Sequence, residues 1–131
     1  MATLAPNNAY PDKSPWVDLK EYLVNGWIGE SSNGTRSIKA WVDGNTVVLA
    51  GSLVIGDGLT GTRMVALTLP VGLRPATAET FVAHIRGYGT CEIQILVNGT
   101  FYLLSWSGGA LTDLPPAQIL LFSHTYQRRV N

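Results

Sequence analysis

The chain has 131 residues, 46% of them apolar and only 14% charged, with nine Lys+Arg against nine Asp+Glu and a net charge of zero. That length suits one domain with a single core, and neutrality excludes long-range attraction to nucleic acid or to an anionic membrane surface. Charge this sparse, against roughly a quarter of residues in an average soluble domain, leaves a surface that needs cover, so we expect oligomerisation or packing into a larger assembly.

Residues 1–15, "MATLAPNNAYPDKSP", differ from everything after them. They have neither a basic start nor an apolar stretch, so they are no signal peptide. No run in the chain approaches the roughly 18 apolar residues of a membrane span. Pro6, Pro11 and Pro15 with Asn7-Asn8 oppose regular structure. The reading is an extended N-terminal arm, residues 1–15, ahead of a domain over 16–131. Leu4, Pro6, Tyr10 and Pro11 are the candidate attachment residues, because a proline-rich segment docks in a neighbour's groove with little entropy left to lose. In "SPWVDLKEYLVNGW" two readings stay open. One is a short helix capped by Ser14, with Trp16, Leu19 and Leu23 on one face and Gly26 ending it. The other is an irregular entry into a strand.

From Asn25 onward the pattern is β. Ile38, Ala40 and Val42 alternate before Asp43-Gly44-Asn45, and Val47, Leu49, Gly51 and Leu53 alternate after it, which predicts a hairpin. "GDGLTGT" (56–62) turns into a strand over Met64–Leu69. Strands follow at 80–88, 90–97 and 100–106, the last two joined by Asn98-Gly99, and a final strand runs over 117–126 into a basic tail, "QRRVN". With about eight strands and no convincing long helix, the expected fold is all-β, an antiparallel β-sandwich or jelly roll. The segment "LPVGLRPA" reads as a rigid structural corner between two sheets. Pro70 ends the strand, Gly72 permits a positive φ, and Pro75 holds Arg74 extended. Arg74 is thereby fixed, and it is either part of the corner or placed to bind a carbonyl or carboxylate.

Chemistry-bearing residues are few. His84 and His124 sit in strands, where each reads as a strand-face or trimer-seam residue rather than a catalytic base. Asp57 in "GDGLTG" is the one seed of a calcium loop and lacks acidic companions. Cys91 is the single cysteine, which excludes an intrachain disulfide, and it has no basic neighbour to activate it. Asp43, Glu79, Glu92 and Asp113 show no pairing suited to glycoside hydrolysis. We therefore expect no enzyme, no metal and no cofactor. Aromatic residues remain, with Trp41 and Trp106 as candidate glycan contacts against the alternative of core or subunit packing.

Taken together, "NGW" (25–27), "VVLAGSL" (47–53), "ALTLPVGLRPA" (66–76) and "FVAHIRGYGTCEIQILVNGTFYLL" resemble the small β-sandwich domains at the C-terminal ends of bacteriophage tail and fibre proteins. The resemblance spans roughly residues 24–126, and "LPxGxRP" is its most specific element. It implies a homotrimeric β-sandwich head on a virion, often bound to host-surface glycan. The expected protein is thus a virion structural protein made in a host cytoplasm, as capsid decoration, head fibre or tail-tip component, held through its arm by other capsid or tail proteins. The alternative is the receptor-binding head of a tail fibre. The chain opens on Met1 and a short arm with no shaft, which leans the expectation toward a stand-alone virion protein. Phe81, Ile85, Ile95 and Leu121 are the candidate trimer seam. Arg128 and Arg129 are a second candidate for attachment.

Overall fold

A computed structural model describes residues 16–31, 37–56 and 59–129. The expected arm, including Leu4, Pro6, Tyr10 and Pro11, and the Asp57 loop seed lie outside the described residues. Nine strands follow in chain order: β1 (Val17–Asp18), β2 (Ile28–Gly29), β3 (Ile38–Asp43), β4 (Thr46–Val54), β5 (Val65–Thr68), β6 (Glu79–Ile85), β7 (Gly89–Ile95), β8 (Thr100–Trp106) and β9 (Ile119–Gln127). No α-helix occurs among the described residues; the helical turns there are short 3-10 segments such as Lys20–Tyr22 and Val71–Leu73.

All the pairings are antiparallel, in the order β1-β3-β4-β9-β6-β7-β8-β5, with β2 beside β4 past the start of β3. The all-β, sandwich-like expectation holds, but as one curled sheet rather than two separate ones. β5 to β8 form a Greek key. β6, β7 and β8 follow one another as hairpins, and the long connection from β5 to β6 leaves β5 beside β8.

The pattern of burial follows the two-residue period of a strand. β6 reads inward at Phe81, Ala83 and Ile85 and outward at Thr80, Val82 and His84. The inward residues of both halves of the curl share one core with Leu49, Ile93, Phe101 and Leu103. At Gly51 the ring of Phe122 occupies the space a Cβ would take, 2.8 Å from it, so this inward position has to be glycine.

The segment before β2 resolves the ambiguity left by its sequence. It is no α-helix. β1 pairs with β3, Val17 opposite Ala40, and then the chain crosses to the far edge. There Leu23 bridges Leu67 of β5, and the Val24 N–H donates to the Ala66 carbonyl at 2.8 Å. One strap thus satisfies backbone groups at both sheet edges and covers the core with fully buried Leu19. Covered edges no longer offer a template for stray pairing.

Candidate functional site

The corner between β5 and β6 is a knot of hydrogen bonds. The Leu69 N–H donates to the Gly99 carbonyl at 2.8 Å, and Arg74 Nε donates back to the Leu69 carbonyl at 2.9 Å, closing the loop at its base. Arg74 therefore serves the shape of the corner. Gly99, at φ 90°, has the Leu69 carbonyl 2.7 Å from where a Cβ would stand, so the Asn98-Gly99 turn and the corner fit only because that residue is glycine. Gly72 differs from expectation. It lies buried in the right-handed 3-10 turn Val71–Leu73, and a positive φ plays no part there. The chain beyond Pro75 does not jump between separate sheets. It runs beside the end of β9, with Pro75 bridging Arg128 and the Ala76 N–H bonded to Gln127.

Two side chains from that end of β9 complete the knot, and the sequence reading missed both. The Tyr126 hydroxyl donates to the Leu73 carbonyl at 2.5 Å, and Arg128 Nη1 reaches the Gly72 carbonyl at 3.4 Å. Burial, with the Glu79 charge adding to it, raises the Tyr126 phenol above its usual range. Arg128 is 3% exposed. It is thus part of the domain and not of a free basic tail, and it cannot offer the attachment surface considered for it.

The titratable residues are dispersed. His84 is exposed on the outside of β6. His124 Nε2 lies 2.8 Å from Glu79 Oε1, and its ring stacks on Phe81 with centroids 4.3 Å apart. Cys91 is buried, and burial pushes its thiol up to about 12 against the smaller pull of a backbone hydrogen bond at Ala83. Among the described residues no group of three or more His, Cys, Asp or Glu is placed to hold a metal ion.

The two candidate glycan contacts stand apart in the sheet, Trp41 on β3 and Trp106 at the end of β8. Trp106 Nε1 donates to the Tyr88 carbonyl at 2.9 Å, and its ring lies so close to Gly108 that a Cβ there would sit 2.2 Å away. One face of that indole is therefore covered. Trp41 has a companion instead. Trp16, 47% exposed, packs against it with ring centroids 5.7 Å apart. The β1–β3 register makes this pair, because Val17 opposite Ala40 sets Trp16 beside Trp41. Only knowledge of that register reveals it. Together the two rings, tilted 59° to one another, leave aromatic surface exposed at the sheet edge.

Of the four seam candidates, Phe81, Ile85 and Ile95 point into the core of their own chain and are unavailable to a second copy. The alternation was read correctly but assigned to the wrong side of the sheet. Leu121 points outward and is half-buried.

A curled antiparallel sheet closed by a strap, with a locked corner at one end and an exposed aromatic pair at one edge, is thus the frame of this molecule. No family model matches the chain, and no curated protein matches its sequence significantly. Among solved structures, it is similar to the crystal structure of the receptor binding protein (gp15) of Listeria phage PSA, with a TM-score of 0.63 and 19% identity over 90% of this chain and 67% of that one. The likeness is one of fold, and it agrees with the phage β-domain resemblance carried by the sequence.

Proposed function

We propose that this protein is a bacteriophage virion surface protein with a receptor-binding role. In this reading it is a non-catalytic β-domain, trimeric on the particle, attached through residues 1–15 and presenting its sheet to the host surface. The observation that carries the proposal is the fold shared with a phage receptor binding protein over 90% of the chain. The exposed Trp16–Trp41 pair supports contact with a host-surface glycan, since flat rings bind sugar faces at low conformational cost.

The test has two parts. Cryo-electron microscopy of particles that carry the protein is expected to find a few copies at the tail tip. Many copies spread over the head would overturn the receptor-binding role and favour capsid decoration. Purified protein added to host cells is expected to compete with phage for adsorption, and the Trp16→Ala, Trp41→Ala double variant is expected to lose that competition. Unchanged adsorption at saturating wild-type protein would sink the reading.

A further inference from the structure

Beside the strap lies a cavity of about 490 Å³, within the roughly 300–1,000 Å³ of small-molecule sites. It lies where β4 exchanges one neighbour for another. The Ser52 N–H donates to the Ser37 carbonyl, and the Ser52 carbonyl accepts from the Glu30 N–H, both at 3.0 Å. Leu23, Trp27, Ile28 and Val54 give the cavity apolar walls. Its polar groups are few. Exposed Lys20 brings N–H donors. The Glu30 carboxylate is engaged by the Ser52 hydroxyl and by Arg86 at 3.1 Å. Ser37 lines the cavity and is only 5% exposed, and its Oγ has no hydrogen-bond partner among the described residues. A buried hydroxyl left so is costly, and a bound group that satisfies it recovers the cost. The Trp27 wall is firmly held. The turn from Val24 to Trp27 closes at 3.1 Å with Asn25 at φ 58° and Gly26 at φ 81°, the left-handed pair that Asn-Gly favours. Asn25 Nδ2 donates to the Thr62 and Val65 carbonyls at 2.8 and 2.9 Å, and Trp27 Nε1 donates to the Arg63 carbonyl at 3.1 Å. Gly56 packs so close that a Cβ there would stand 2.8 Å from the indole Cδ1. Fixing of this kind spares a ligand the cost of ordering the site.

We infer that this cavity binds one sugar unit of a host-surface glycan. A sugar offers C–H faces to the apolar walls, and its hydroxyls donate and accept as Ser37 Oγ does. One hydroxyl pairs with Ser37 Oγ, the ring lies against Trp27 and Ile28, and Lys20 donates to an outer oxygen. The inference rests on the receptor-binding reading above. It gives that role a contact separate from the Trp16–Trp41 pair, neither ring of which lines the cavity.

The experiment is amide and indole NMR of the full chain, titrated in turn with millimolar glucose, galactose, rhamnose, N-acetylglucosamine and glucuronic acid. At least one sugar is expected to shift the Trp27 indole N–H together with the amides of Gly29 and Ser37, leaving the Trp106 indole unmoved. Ser37→Ala is expected to bind that sugar roughly tenfold more weakly, having lost one buried hydrogen bond. Its melting temperature is expected to be unchanged or raised, because an orphaned hydroxyl is gone. Val54→Trp fills the cavity and is expected to abolish the shifts. No shift with any of the five sugars, shifts confined to Trp16 and Trp41, or undiminished binding by either variant would each overturn the inference. So would a markedly destabilised Ser37→Ala, by showing that the hydroxyl serves the fold. Competition for adsorption separates the cavity from the reading beneath it. If the parent competes with phage and both variants compete equally well, the cavity is rejected and the receptor role stands. If a sugar shifts Trp27 but the parent does not compete, the role is rejected and the cavity stands.

Discussion

Strand β9 has two neighbours and pairs with them differently. Toward β4 its register is continuous from Thr46–Gln127 to Val54–Ile119. Toward β6 it pairs at His84–Leu121 and Ile85–Leu120, loses the ladder, and regains contact only at the Pro75–Arg128 bridge. Between these points β6 and its lead hold eight residues (76–83) against six on β9 (122–127). A mismatch of two residues cannot be zipped, so the strands part. His124, Glu79 and Phe81 occupy the parting. The continuous side makes a flat wall, and the interrupted side lets the sheet curl round its core. The same strand serves both because its pairing is set by its neighbours' length and not by its own sequence.

The largest effect is expected on the continuous side. Leu49 is fully buried on β4 opposite His124. Leu49→Ala is expected to cost about 2–5 kcal/mol by urea unfolding, from lost burial plus the cavity left behind. A loss below about 1 kcal/mol would mean that this wall does not carry the core. Next is the point where β9 rejoins the corner. Tyr126→Phe strands the Leu73 carbonyl and is expected to cost about 1–3 kcal/mol, measured in the same way.

Alkali probes two buried groups, Cys91 on β7 and Tyr126 on β9. Cys91 and Tyr126 both hold their protons more tightly in the folded chain than in the unfolded one. Their contribution is therefore complete below the unfolded values, 9.0 for the thiol and 10.0 for the phenol, and is lost as pH rises through the folded ones. For the thiol the window runs from pH 9 to about 12. Stability is expected to fall by up to about 1.4 kcal/mol per pH unit for each group within its window. In Cys91→Ala the decline at pH 9–10 should flatten; a slope identical to the parent's would show that the thiol is not desolvated. The smallest effect belongs to the parting itself. Glu79→Gln removes the charge beside His124 and is expected to cost under about 1 kcal/mol. A larger loss would mean that the Glu79–His124 contact, and not the corner, holds β6 to β9.

Much of this frame was legible from local chemistry. Asp43-Gly44 and Asn98-Gly99 marked turns that the backbone takes at φ 61° and 90° for their glycines, and β8 runs over Thr100–Trp106 as its pattern predicts. Inward alternation found the core residues Ile38, Leu49 and Leu53. Partners distant in sequence were not legible. Nothing near Trp16 announces Trp41, and the Arg128 side chain looks like a solvated tail until Gly72 is placed beside it. The sign of alternation was also ambiguous at Phe81, Ile85 and Ile95, since a two-residue period tells which residues share a face and not which face is inside.

The strap from Trp16 to Val24 has a mechanical consequence. Tension applied through the chain ahead of Trp16 first loads the short β1–β3 ladder at Val17 and Asp18, and beyond it the contacts of Leu23 and Val24 with β5. Those two anchorages lie on opposite margins of the sheet, so the load passes into both sides of the curl in succession. Peeling the first would expose one margin while Leu23 still grips the other, and the domain would yield in two stages under such a pull.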